Sequence, residues 1–183
     1  IAGRFFMDAF LAQLLEETEW ERREHAAVLW QALRQIGVNL LHLPFRFELS
    51  HRLHEERRHG YLSVNDINKL TNTIWEDYFA DTVRGSDQYV WAAKLHFYLP
   101  REPHYDWQYT AGYLIAAVLR RRLLADGRTA CGGSFGDFLS DCATIDCDEL
   151  IRRHLGADPA SDAFWTDAAT EALNVMRDAD RHI

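Results

Sequence analysis

Every strongly patterned stretch of this chain repeats its apolar residues with the period of a helix, and none alternates for long enough to be trusted as a strand. That pattern excludes sheet-based folds and predicts an all-α, multi-helix bundle. Helices are expected over 2–19 and 21–36, the second with HAAVLWQALRQI at its heart and a stop at Gly37. A third should run from Leu40 or Pro44 to His59 and close at Gly60. Ser63-Val64-Asn65-Asp66 has an N-cap hydroxyl followed three residues later by an acid, which starts a fourth helix over 64–79. A short helix at 87–95, a long one from Tyr105 to near Asp126, shorter ones at 134–140 and 147–155, and a last one from 161 to 180 complete the expectation. Gly127 and Cys131-Gly132-Gly133-Ser134 read as a loop, and Asp158-Pro159 as a break.

With 183 residues, the chain suits one helical domain, 1–183. Its net charge of −8 opposes generic nucleic-acid binding, which needs a basic surface to displace counterions. The run Arg120-Arg121-Arg122 is too short to reverse that and is expected on the solvent side of its helix. No apolar run approaches the ~18 residues that span a membrane, and no signal peptide opens the chain, so the expected compartment is the cytoplasm. Cys131, Cys142 and Cys147 are odd in number and lack C-x-x-C spacing, so they are read as free thiols.

Chemistry is concentrated between His96 and Tyr113, HFYLPREPHYDWQYTAGY, with two histidines, two prolines and five tyrosine or tryptophan side chains in eighteen residues. Pro100 and Pro103 make 99–104 a turn. If the chain is helical from Tyr105, then Tyr105, Tyr109 and Tyr113 fall on one face. Their hydroxyls could donate to charge developing on a substrate oxygen. An aromatic stripe at this spacing is also what core packing produces, with the phenol tips satisfied by neighbours.

This stretch resembles the region of oligoendopeptidase F, and more distantly of other thimet-oligopeptidase-like zinc metallopeptidases, in which H-F-Y precedes a Pro-containing loop and a helix start such as F-Y-V-Y-Q-Y-A-T-G. Here the corresponding residues are His96-Phe97-Tyr98 and Tyr105-Asp106-Trp107-Gln108-Tyr109-Thr110-Ala111-Gly112. The likeness extends to Arg46-Phe47-Glu48 and to His54-Glu55-Glu56-Arg57-Arg58-His59-Gly60, where relatives carry R-F-E and L-H-E-x-R-x-x-G, and again to Ala163-Phe164-Trp165. It implies the C-terminal part of a zincin-like helical peptidase domain that hydrolyses short peptides with a metal-activated water in a cleft between helices. On that basis His96, Tyr105 and Tyr109 are the expected catalytic donors, and Tyr98, Trp107 and Tyr113 the expected substrate-binding residues. The zinc would belong to the intact parent, bound by residues in the remaining N-terminal part of the peptidase, with no metal ligand in this chain.

The start of the chain reads as a helix already under way, which suggests a fragment of a longer peptidase. Relatives open that helix with E-x-A-S-T-x-x-E, whose first Glu is the third zinc ligand; if Ala2 matches the family Ala, that ligand precedes Ile1. Gly3 and Arg4 replace the hydroxyl pair, Met7 stands at the second Glu, and His96 and Tyr105 are nine residues apart where the family has about seven. These departures favour a competing expectation, a catalytically inactive helical scaffold or partner-binding module descended from such an enzyme. His54-Glu55-Glu56-Arg57-Arg58-His59 imitates a zinc signature, but an i, i+5 pair is rotated by about 140° on a helix. His51 and His54 are one turn apart, and a charged, solvated helix face is the simpler reading of them.

Overall fold

The computed structural model describes residues 22–99, 101–102, 104–125 and 133–180. Every regular element among them is helical: α1 Arg22–Gly37, a π-helical turn Val38–His42, α2 Leu43–Arg58, α3 Val64–Phe79, α4 Val90–Ala93, α5 Trp107–Ala125, α6 Gly133–Asp141, α7 Cys147–Leu155 and α8 Asp162–Asp180. Turns of 3₁₀ helix at Ala80–Thr82 and Leu95–Tyr98 join them. The all-α class read from the periodicity is therefore the fold class, while the helix expected over 2–19 and the loop from Gly127 to Gly132 lie outside the described residues, and Gly133 and Ser134, expected in that loop, open α6. Contacts divide the chain into two compact units: Gly37–Thr110 forms one, and the described residues up to Ile36 and from Ala111 form the other.

The expected stop at Gly37 is corrected. Gly37 is helical, with φ −57° and ψ −41°, and the chain passes through the π turn directly into α2. Pro44, in the first turn of α2, explains the widening. A proline ring collides with the carbonyl four residues back and brings no N–H, so the chain lets one wider turn absorb it. The Leu43 N–H bonds to the Val38 carbonyl, five residues back. The Asn39 carbonyl would look to Pro44 and finds no donor there; instead the Thr110 hydroxyl donates to it at 2.8 Å, joining the two sequence ends of the Gly37–Thr110 unit.

That unit is built on one apolar stripe per helix. Phe45 and Leu49 from α2 meet Ile74 and Phe79 from α3 and Val90 from α4, with Leu53, Trp75, Trp91 and Phe97 packed around them. Phe45 sets its ring edge against Trp75 at 5.3 Å between centroids. Side chains of this size contribute about 1.5–3 kcal/mol each when buried. Ser63 caps α3 as the sequence predicts: its hydroxyl accepts the Asp66 N–H at 3.2 Å while Asp66 accepts the Ser63 N–H at 3.0 Å. Buried Asn68 accepts the Trp91 indole N–H at 2.9 Å, so its polarity is satisfied.

In the other unit, α5 is buried continuously from Tyr113 to Leu119, consistent with a helix apolar on all sides. Phe138 of α6, Leu150, Ile151 and Leu155 of α7, and Ala168 and Ala172 of α8 are buried in the same unit. The arginines at the end of α5 do more than face solvent. Arg121 makes a two-pronged pair with Asp167, at 2.7 and 3.1 Å, and Arg122 donates to the carbonyls of His154 and Leu155 that end α7. Gly156, at φ +54°, supplies the left-handed cap after them. Cys142 and Cys147 are free thiols, as read.

Candidate functional site

Arg46 follows Phe45 on α2 and is buried beside the core stripe. One of its terminal nitrogens, Nη2, lies 2.9 Å from Asp106 Oδ1 and 2.5 Å from His96 Nδ1. The contact to His96 has hydrogen-bond geometry, whereas Asp106 is held by its charge. The Arg46 and Asp106 side chains are only 8% and 4% exposed. Burial is the largest influence on each, pushing the Arg46 pKa down and the Asp106 carboxyl up, with the partner's opposite charge working against it. The two are in ionic contact, yet Asp106 Oδ1 and Arg46 Nε make no aligned hydrogen bond. A pair held this way is costly to assemble and fixes geometry more than it adds stability.

Around this anchor the three expected catalytic residues converge. The Tyr105 ring stacks on His96 at 5.2 Å, and Tyr109 stands edge-on to the same imidazole at 6.4 Å. The Tyr109 hydroxyl donates to the Tyr105 hydroxyl across 3.3 Å. That bond, followed by burial, raises the Tyr109 pKa, because it is the protonated phenol that donates. Tyr105 donates to no described residue, so its own proton is available. The expectation that Tyr105 begins the helix is corrected: α5 starts at Trp107, and Tyr105 sits in the turn before it. The missing turn of helix does not separate the rings, because Tyr105 and Tyr109 still meet at 5.5 Å.

The three expected substrate-binding residues differ in exposure. Tyr98, 55% exposed, borders a cavity of about 320 Å³ whose apolar wall is Leu53, Ile67, Trp91 and Phe97, with Ser50, His54 and Arg57 completing it. Trp107 is exposed at the start of α5. Tyr113 is buried, 4% exposed, and belongs to the other unit.

Neither Arg46 nor Asp106 stood out as a site residue in the sequence, although both lie inside the two resembling motifs. His104 escaped notice as well. It adopts φ +60°, a left-handed conformation that costs a side-chain-bearing residue strain, and its ring packs against His54 at 5.0 Å and His51 at 5.5 Å. Its Nδ1 is buried without a partner, while His54 Nδ1 donates to the Ser50 carbonyl at 2.7 Å. Among the described residues no three or more His, Cys, Asp and Glu side chains are arranged to hold a metal. No described helix is long and apolar enough to cross a membrane. Comparison with protein-family models, with curated proteins and with solved structures returns no match.

Proposed function

We propose that this chain is the C-terminal, oxyanion-binding part of a zinc-dependent oligopeptidase resembling oligoendopeptidase F, acting on short peptides. The observation that carries the reading is the meeting of His96, Tyr105 and Tyr109 around a buried Arg46–Asp106 anchor. Hydrolysis of a peptide bond builds negative charge on the carbonyl oxygen, and donors held in place before the reaction stabilise that charge without reorganising. Two phenols and an imidazole, fixed by ring packing and by a buried ion pair, form such a donor set. Tyr105 is the leading donor, since Tyr109 spends its proton on Tyr105. The cavity beside Tyr98 offers room for an apolar substrate side chain. On this reading the zinc and its ligands belong to upstream sequence, as in the zincin-like domain it resembles, and the compartment is the cytoplasm.

The test is a fluorogenic-peptide assay on the longer protein that this reading requires, with and without a chelator. Chelator-sensitive cleavage that falls sharply in His96→Gln and Tyr105→Phe supports the proposal. A metal-free protein without peptidase activity would leave the inactive scaffold as the function of this fold.

A further inference from the structure

We propose that Arg46 is a positioning residue that sets the tautomer of His96, so that this imidazole offers its Nε2–H to the substrate oxygen. A guanidinium has donors and no acceptor. The His96 Nδ1 atom, 2.5 Å from Arg46 Nη2, must therefore accept, which requires its lone pair and leaves the ring proton on Nε2. Nε2 makes no hydrogen bond to a described residue, and His96 is only half-buried, which leaves this donor for a ligand. Two features hold the arrangement. The same Arg46 nitrogen is 2.9 Å from Asp106, so swinging the guanidinium off the imidazole would also strand a buried carboxylate. Tyr105, stacked at 5.2 Å with 30° between planes, keeps the ring from turning over, which would set a C–H against the guanidinium.

The same unit contains the opposite case. His54 places Nδ1 2.7 Å from the Ser50 carbonyl, which can only accept, so there the proton sits on Nδ1. The two imidazoles are thus set to different tautomers by the partners their Nδ1 atoms meet, a donor in one case and an acceptor in the other. The catalytic role of the Nε2–H rests on the oligopeptidase reading above; the tautomer itself does not.

The deciding measurement is the long-range ¹H–¹⁵N spectrum of the ¹⁵N-labelled 183-residue chain at pH 7.5–8, with the His96 signals identified by their loss in His96→Gln. The expected result is His96 with Nδ1 in the range of a bare ring nitrogen and Nε2 in the range of a protonated one. Arg46→Lys, which keeps a donor, should retain that pattern. Arg46→Met combined with Asp106→Asn, which strands no charge, should give a mixture of tautomers. A wild-type His96 protonated on Nδ1, or already a mixture, overturns the proposal, as does an unchanged pattern in the double variant. If the double variant does not fold, the wild-type spectrum alone decides. In the longer, active protein the double variant should lower kcat about tenfold or more with little change in KM, since a misdirected donor is missed mainly in the transition state. An unchanged kcat would remove the catalytic role while leaving the tautomer assignment intact.

Discussion

At the scale of the residue, two side chains invite direct experiments. Tyr105 has a free phenolic proton and Tyr109 does not, so the pair should respond unequally to loss of the hydroxyl. If the proposed function holds, Tyr105→Phe in the longer peptidase it requires should reduce kcat by ~10²–10³ with a small change in KM, as removal of an oxyanion donor does. Tyr109→Phe should cost less, because it only loosens the orientation of Tyr105. Equal, near-parental kcat values in both variants would mean that the rings are packing alone. His104 is the second. Burial first, then the neighbouring His54 and His51, hold its pKa below the ordinary 6.5, with Glu55 pulling weakly the other way. The folded state therefore binds this proton less readily than the unfolded chain does, so the stability it contributes is present above about pH 6.5 and lost as pH falls below it. Melting temperatures at pH 7.5 and 5.5 should show an acid-side loss that shrinks in His104→Phe, which keeps the ring. Part of the loss should persist, because His42 is held low in the same direction by burial, Arg46 and Lys94.

At the scale of the element, the signals that proved readable were local ones. Ser63 and Asp66 are three residues apart, and the capping box they form needs nothing else, so the start of α3 was legible before any coordinates. Ser63→Ala should destabilise the chain by about 1 kcal/mol in urea melts, the usual cost of losing such a cap. A change within 0.2 kcal/mol would show that Asp66 alone suffices. Gly37 and Pro44 misled for a related reason. Each is a helix breaker by composition, yet a π turn and a hydroxyl 71 positions from Asn39 absorb the break, and no local pattern announces a donor that distant. The tyrosine cluster was partly legible, because residues four apart meet whether or not the first belongs to the helix. The Arg46–His96 contact was not, since its partners are 50 positions apart and only folding brings them together.

At the scale of the whole molecule, the 183-residue chain should give a circular dichroism spectrum with strong helical minima and no strand component. After dialysis it should retain less than one zinc per chain and cleave no peptide, since His54 and His59 are rotated by about 140° on a helix and the cysteines at 131, 142 and 147 offer no compact ligand pair. Stoichiometric metal with chelator-sensitive cleavage would relocate the active centre into this chain.

The Thr110–Asn39 bond has a consequence for how the molecule is made. The unit it closes is continuous in sequence, Gly37–Thr110, whereas the other unit draws on residues from both sides of it. During synthesis, everything the continuous unit needs has emerged once Thr110 leaves the ribosome, and the hydroxyl that closes it belongs to its last residue. The other unit must wait for α5 to α8. Domains tend to fold as they appear, so the order is set by topology: the His96 and Tyr105 cluster should be in place while everything the other unit takes from Ala111 onward is still unmade. Stalled nascent chains ending far enough beyond 110 for Thr110 to have left the ribosome should already protect Phe45 and Ile74 from proteolysis, and protection that appears only once residue 183 has emerged would show that the two units fold as one.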